Sequence, residues 1–416
     1  MKVAILSETF LPQVNGVVRT VEKIIKFLEA NGHEALLVTL GEGDAEYSNT
    51  EVVRVPGVPF GLYKELHLVK PEDEFFSKFV GNDIMQFPAI LLMTLIPSAN
   101  TVVGEALEKF QPDIIHLVTP VTLGAIGHYY MEKMNLPSLA TFHTDIAAYA
   151  PRYQVPYAEN VVNLLTKTIY SKSERVLAPS PSSQKQLEEI GVDNVGVFGR
   201  GVDHTMYTPE KRNKELLKEF GLDTEKITLM YAGRLAEEKS IDKVIDSFKV
   251  LQKKYPNKVQ LMIVGDGPSR ADLEEQLADT SDYAFTGLQT GEKFASLYAA
   301  ADIFAFASVT ETFGQVVLES MASALPVVGY DSPGVRDLVE NGHSGFLANQ
   351  KVDHLDESNP ASFIAGLINL IEKPELRAEL GKNAHAEAQR RSWDNILGEL
   401  VREYQVLIDK RKLAAV

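Results

Sequence analysis

The chain has no cysteine among its 416 residues. Disulfides, thiolate metal centres and a cysteine nucleophile are excluded, and a reducing, cytoplasmic compartment is compatible with this. There is no excess of basic charge. Residues 1–205 hold 16 Lys and Arg against 24 Asp and Glu, and residues 206–416 hold 25 against 33, so each part carries −8 of the net −16. Neither half offers the electrostatic footprint of a nucleic-acid-binding domain, and no nucleic-acid partner is expected. Long apolar runs are also missing. The most apolar stretch, IMQFPAILLMTLIP at 84–97, is too short to span a bilayer and is interrupted by Pro88. The opening MKVAILSETFLP lacks a long apolar region and a small-residue cleavage site, so it reads as a strand and not as a signal peptide.

Several catalytic signatures are absent. No G-x-G-x-x-G follows the first strand, which removes a dinucleotide fingerprint. Gly265-Asp266-Gly267 is not followed by Lys-Ser/Thr, so it is not a phosphate-binding P-loop. The nine histidines show no H-E-x-x-H or other metal-ligand spacing, and no metal site is expected. No G-x-S-x-G elbow occurs, which disfavours a hydrolase triad.

What is present is an ordinary globular composition, 45% hydrophobic and 24% charged, at a length that suggests two or three domains. Short apolar runs alternate with helical patterns. KVAILSE, EALLVTL, EVVRVPG, DIIHLVTP, PSLATFHT and RVLAPS read as strands, and Val17 to Asn31 reads as an amphipathic helix stopped by Gly32. Periodicity fades over GVDHTMYTPEKR and then restarts with ITLMYAG, a helix from Ser240 to Lys254, VQLMIVGDGP, YAFTG, DIFAFAS, LPVVGY and SGFLA. The repeated strand–helix order predicts an α/β fold of two doubly wound, Rossmann-like parallel-sheet domains, 1–202 and 203–392. In such sheets ligands bind beyond the strand C-termini.

The densest cluster of chemistry lies in two segments. In VTETFGQVVLESMASALPVV, seven residues separate Glu311 from Glu319. A helix from Gln315 onward places Glu311 just before it and Glu319 in its first turns, near the positive end of the helix dipole. In GRLAEEK, Arg234 and Lys239 follow an apolar strand. Two bases suit a diphosphate and two acids suit sugar hydroxyls; the bland alternative is a set of solvated helix charges. Asn15-Gly16 precedes the first helix and reads either as a phosphate-approaching turn or as a plain Asn-Gly turn. His143 lies just past an apolar strand with Asp145 two residues on, placed either to meet substrate or simply to bond backbone. His116 reads as a satisfied histidine at a strand end. Ser332-Pro333-Gly334 follows LPVVGY, with a helix expected close after it.

The series NGV, FHTD, GVDHTMYTP, GRLAEEK, VGDGP and ETFGQVVLESMASALPVV, in this order along nearly the whole chain, resembles the retaining glycosyltransferases of family 4, which have the GT-B fold of two Rossmann-like domains facing a cleft. Within that family the chain looks most like bacterial GDP-mannose-dependent α-mannosyltransferases and their glycolipid-forming relatives. The resemblance implies transfer of a hexose from a nucleotide sugar, GDP-mannose or a UDP-hexose, to a sugar or lipid hydroxyl with retention and without a cofactor. It implies that Arg234 and Lys239 bind the diphosphate, Glu319 the ribose, and Glu311 the sugar hydroxyls with the N–H groups of Phe313 and Gly314. His143 would meet the donor sugar near the reacting carbon, and Gly16 would lie on the diphosphate or acceptor side; Gly265, in Gly265-Asp266-Gly267 between a strand and a helix, reads from the residues either as a tight turn or as lining the base pocket of a nucleotide. Asn15, Asp145, Tyr149 and Arg200 are implied at the acceptor side or hinge, and the helix 393–416 would cross back to the first domain. Two departures stand out. Ala324 occupies a position where many relatives have Gly, read here as a packing change, and Pro333 removes an N–H from a loop that could meet phosphate.

Rival readings are a nucleotide-sugar epimerase, a phosphorylase-like enzyme needing a pyridoxal lysine, and a non-catalytic sugar-nucleotide sensor. Phe60, Tyr63, Phe75, Phe76, Phe79 and the 84–97 run suggest an acceptor pocket or a peripheral membrane contact at the inner face of the cytoplasmic membrane, with ordinary core helices as the alternative.

Overall fold

The apolar runs fold into two parallel sheets, each built from strands that alternate with helices. The computed structural model describes residues 1–13, 15–60, 63–69, 98–143 and 158–414. Expectations for Asp145, Tyr149, Phe75, Phe76, Phe79 and the 84–97 run lie outside these residues. Two compact units are formed: Met1–Gly199 together with the chain from Asp394 onward, and Arg200–Trp393.

The first unit begins with β1 (Lys2–Ser7) and α1 (Gly16–Ala30). Asn15 caps α1 by accepting from the N–H groups of Val17 and Val18 at 3.0 and 2.9 Å, which satisfies two of the first-turn donors. Val18, Val21, Ile25 and Leu28 are buried at helical spacing, and Gly32 ends the helix at φ +73°. There follow β2 (Glu34–Leu40), β3 (Glu46–Tyr47), β4 (Thr50–Val55), β5 (Gly57–Phe60), β6 (Tyr63–Val69), α2 (Ser98–Phe110), β7 (Ile114–Val118), α3 (Thr122–Met134), β8 (Ser138–Thr141), α4 (Ala158–Tyr170), β9 (Arg175–Ala178), α5 (Pro181–Glu189) and β10 (Val195–Val197). The main sheet has the order β10-β9-β8-β7-β1-β2-β4-β3, parallel except for the β3–β4 pair, and β5–β6 form a separate antiparallel ribbon.

The second unit runs through β11 (Ile227–Ala232), α6 (Ile241–Lys254), β12 (Val259–Val264), α7 (Arg270–Gln276), β13 (Tyr283–Gly287), α8 (Gly291–Ala300), β14 (Ile303–Phe306), α9 (Gln315–Ala322), β15 (Val327–Tyr330), β16 (Gly345–Ala348), α10 (Phe363–Glu372) and α11 (Pro374–Gln389). Its sheet, β13-β12-β11-β14-β15-β16, is wholly parallel. Both faces are covered: β12 is buried at all six positions, with Gln260 satisfied by Asp223 and Thr228. The strand order reverses between β11 and β14 here, and between β1 and β7 in the first unit. Loops following those strands therefore flank a crevice in each sheet.

The last helix, α12 (Trp393–Ala414), belongs to the first unit from Asp394 onward. Glu403 pairs with Arg175 at 2.9 Å, and Arg411 pairs with Glu174. Tyr404, fully buried, holds His116 Nδ1 at 2.7 Å, while Thr141 holds Nε2 at 3.0 Å. His116 sits in the middle of β7, not at its end, and burial lowers its pKa to about 3, so it is a neutral core residue.

Two local expectations need correction. After Ser332-Pro333-Gly334 the chain forms successive turns over 333–338 in place of a helix: Gly334 adopts φ +77°, a left-handed conformation that a right-handed helix does not contain, and Asp337 takes its N–H at 3.1 Å. Ala324 is not a packing change alone: it adopts φ +60°, the left-handed region that an alanine Cβ disfavours. Its carbonyl also lies 2.4 Å from where a Cβ on Gly381 would stand, so the turn after α9 is clamped against α11. Ala324→Gly is accordingly expected to stabilise the second unit by about 0.5–1 kcal/mol, the relief of backbone strain less the added freedom of the unfolded chain. Thermal unfolding would register this as a small rise in Tm; a fall would show that the turn carries no strain.

Candidate active site

The second unit gathers its charged motifs at the reversal of strand order. β11 ends at Ala232, and the chain turns through Gly233, φ +149°, to place Arg234 on the surface, its carbonyl receiving the Tyr231 hydroxyl at 3.2 Å. The neighbouring loop is pressed against this one. Gly265, φ +136°, lies where a Cβ would come within 1.9 Å of the Gly233 oxygen, and a Cβ on Gly267 would meet the Leu235 oxygen at 2.3 Å. These glycines let two loop backbones touch behind Arg234. A short 3₁₀ turn, Glu237–Lys239, then brings Lys239 back over the crevice, with Ser240 at φ +50° starting the run into α6.

On the other side of the reversal, β14 leads to Ser308 and Glu311. Lys239 Nζ meets Glu311 Oε1 at 2.6 Å, and the Ser308 hydroxyl donates to the same oxygen at 2.9 Å. Both charged side chains are only 17% exposed. Burial by itself would raise the Glu311 pKa. The charge and hydrogen bond of Lys239, the Ser308 hydroxyl and the charge of Arg200 outweigh it, and the carboxyl is held below its ordinary value. Gly334 approaches from the next loop, where a Cβ would stand 2.9 Å from the Glu311 backbone carbonyl oxygen, so its lack of a side chain lets that loop pack on the backbone of the glutamate.

Gly314, φ +87°, breaks the chain direction and α9 starts at Gln315. Phe313 is buried beneath this turn. Glu319, one turn into α9 and 4% exposed, receives the Tyr298 hydroxyl at 3.3 Å. The spacing of seven thus sets one acid ahead of the helix and the other inside it. Arg200, placed by sequence at a hinge, opens this unit, is buried, and lies within the electrostatic reach of both glutamates.

In the first unit, Asn15 and Gly16 form the N-terminus of α1. Asn15 also donates to Thr9 Oγ1, which in turn donates to Gln13. The capping bonds occupy the Asn15 carbonyl oxygen, so its first demonstrable role is structural; Gly16 is exposed beside it. His143 is buried just after β8.

Glu8 was not singled out from sequence. It follows β1 directly and is 2% exposed. Its Oε1 accepts from the Val121 and Leu123 N–H groups at 2.8 Å each and from Gly124 at 3.4 Å, and its Oε2 accepts from the Thr122 hydroxyl. Val121, the residue at the N-cap of α3, supplies no capping side chain, so an acid more than a hundred residues away caps that helix. The available signal was an acid at the end of an apolar strand. Thr119, between β7 and α3, is held at φ +48° with its hydroxyl buried and without a hydrogen bond. Among the described residues no group of three or more His, Asp or Glu is arranged for a metal ion, and no helix is long and apolar enough to cross a membrane.

Comparison with known proteins gives this arrangement its class. Residues 212–387 match the family model "Glycosyl transferases group 1", and residues 70–206 match "Glycosyltransferase Family 4". The chain is 31% identical over 98% of its length to a GDP-mannose-dependent alpha-mannosyltransferase of Corynebacterium glutamicum, 89% of which is covered. It is 28% identical to an alpha-monoglucosyldiacylglycerol synthase of Streptococcus pneumoniae, over 83% of this chain and 75% of that one. Among solved structures, Anabaena HepE in complex with UDP and glucose superposes with a TM-score of 0.71 at 20% identity, over 98% of this chain and 100% of that one. Fold and site together define a GT-B enzyme that transfers a glycosyl group from a nucleotide sugar. The chain belongs to glycosyltransferase family 4. The epimerase and sensor readings give way to glycosyl transfer.

The Glu8 cap makes stability depend on pH. Burial raises its pKa from 4.5 to about 7, against the pull of the Val121 N–H, the Thr122 hydroxyl and the other two N–H groups. An acid whose folded pKa is raised contributes stability that is full below about pH 4.5 and is lost as pH rises through about 7. Glu8→Gln keeps the acceptor but not the ionisation. Between pH 4.5 and 7 the wild type is expected to lose on the order of 3 kcal/mol relative to this variant, read from denaturant unfolding at a series of pH values. Parallel curves for the two proteins would refute the burial argument.

Proposed function

We propose that the enzyme transfers mannose from GDP-mannose to a hydroxyl of a glycolipid acceptor, keeping the α configuration. Full-length similarity to the Corynebacterium GDP-mannose-dependent enzyme supports the donor, and similarity to a glucolipid synthase supports the acceptor class. The observation that carries the mechanism is the Lys239–Glu311 pair set at the strand reversal, with Arg234 on the same loop as Lys239. The second unit binds the donor and the first supplies the acceptor side.

In this reading Arg234 and Lys239 hold the diphosphate, Glu319 the ribose, and Glu311 the hydroxyls of the sugar, with the N–H groups of Phe313 and Gly314 at the start of α9. Gly265 keeps the base side of the crevice open by letting its loop lie flat on Gly233. His143 meets the donor sugar from the first unit, and Gly16 lies against the diphosphate or acceptor. Asp145 and Tyr149 complete the acceptor side.

The chemical difficulty is charge separation, since the sugar becomes oxocarbenium-like as the diphosphate leaves. The bond from the anomeric carbon to the phosphate oxygen breaks, and its electron pair stays on that oxygen. The acceptor hydroxyl attacks from the same face, its oxygen bonds to the anomeric carbon, and its proton passes to the departing phosphate oxygen. No separate base is then required, and the two glutamates are not a glycosidase pair. Two cations and a helix N-terminus supply the charge that a divalent metal supplies elsewhere, each worth roughly a few kcal/mol of barrier. Peripheral attachment to the inner face of a membrane would follow from a lipid acceptor.

Two outcomes test this. Lys239→Ala is expected to lower turnover by roughly 10²–10³-fold while the protein still unfolds cooperatively; near-normal activity would remove Lys239 from the diphosphate site. In metal-free thermal unfolding, GDP is expected to raise Tm more than UDP or ADP, by mass action on the folded state. A larger shift with UDP would overturn the assignment of the base.

A further inference from the structure

Arg200 is a buried cation to which the reading above gives no diphosphate role. It is 8% exposed, and its Nε is shielded from solvent without a hydrogen-bond partner. Isolating a guanidinium in this way is costly unless nearby charge compensates it. Burial draws its pKa down to about 10, and the fields of Glu311 and Glu319 act in the opposite direction, so it remains protonated near neutral pH.

Several described groups surround the two glutamates. Glu311 faces Lys239, the Ser308 hydroxyl and Arg200, and Tyr231 lies in the fields of Glu311 and Glu238. Glu319 faces the Tyr298 hydroxyl and Arg200, with Tyr207 acting on Tyr298. Among the described residues, Glu311 thus has two cations within electrostatic reach when no donor is bound, Lys239 and Arg200. A diphosphate changes this. Lys239 cannot give its full charge to the diphosphate and to Glu311 at once, so donor binding would leave a mostly buried carboxylate short of positive charge. Glu311 must then either take up a proton or be held by a second cation.

We propose that Arg200 is a positioning residue, the fixed counter-charge of the Glu311–Glu319 pair, which lets Lys239 exchange Glu311 for the donor's diphosphate while Glu311 stays ionised to accept hydrogen bonds from the sugar. This rests on the diphosphate role of Lys239 given above. An arginine fits the task because its planar, delocalised guanidinium spreads one charge over a fork of donors that can address two carboxylates at once. Its place at the start of the unit, one residue before the Gly201 carbonyl that receives the Gln315 side chain, ties it to the beginning of α9.

Proton linkage of GDP binding tests the proposal, measured by calorimetry on the full chain in buffers of different ionisation enthalpy between pH 6 and 8. With Arg200→Gln, binding is expected to take up as much as one proton more than in the wild type. Affinity should then fall by up to about tenfold for each unit of rising pH. Arg200→Lys, which keeps a positive charge, is expected to return both towards the wild type. A Gln variant with wild-type linkage, or a Lys variant no different from the Gln variant, overturns the proposal. Lys239→Ala in the same assay separates the two levels. If it leaves GDP affinity unchanged, the diphosphate reading itself fails; if it weakens GDP while Arg200→Gln shows no extra proton, the counter-charge role alone fails. Should Arg200→Gln not fold, Arg200→Gln/Glu311→Gln decides. Recovery of a cooperative unfolding transition supports charge compensation, and an equally unfolded double variant overturns it.

Discussion

The second unit is organised around one constraint: a carboxylate must stay ionised while mostly removed from water. Glu311 achieves this because Lys239, Ser308 and Arg200 converge on it from three different loops. Each loop follows from the same architecture. Ser308 and Glu311 lie beyond β14, Lys239 beyond β11, and Arg200 where the unit begins. The ion pair therefore holds together the two sides of the strand reversal, which is where a parallel sheet leaves room for a ligand. A buried pair of this kind is weak evidence for stability, because desolvation offsets much of the attraction. Its value lies in presenting a fixed acid and a movable cation at one point.

Glu8 shows how far environment decides the behaviour of the same side chain. It also lies just past a strand at a reversal of order, and it too is buried. Its partners are backbone N–H groups and a hydroxyl, with no cation among its hydrogen-bond donors. Burial then prevails and its pKa rises to about 7, whereas Glu311, beside two cations, is held below its ordinary value. The first carboxyl fastens a helix; the second is kept charged in the crevice.

Glycine and alanine positions serve the same end. Gly233 and Gly265 let two loops touch behind Arg234, and Gly334 lets a third loop rest on Glu311. None of these contacts is made by a side chain, yet each sets where a charged group stands. Ala324 takes a left-handed φ despite its Cβ, and α11 packs against it through the closeness of Gly381.

The sequence by itself determined the element types and much of the order. Apolar runs of four to seven residues between helical periods could only be buried parallel strands, and the spacing from Glu311 to Glu319 set one acid before α9 and one within it. Asn15 before an amphipathic run was legible as a helix start. The two- and three-residue strands β3 and β10 were not, because so few residues carry no periodicity. The turns after Ser332–Gly334 were not legible as such, because a glycine's left-handed φ is not written in the sequence. Only the tertiary structure decided which charges meet. Lys239 and Glu311 are 72 residues apart, Glu8 and Val121 are 113 apart, and Tyr404 and His116 are 288 apart. Local spacing fixes what faces the same side of one helix or strand. Which strand ends become neighbours, and therefore which acid finds which base, is set by sheet order, and sheet order exists only once the chain has folded.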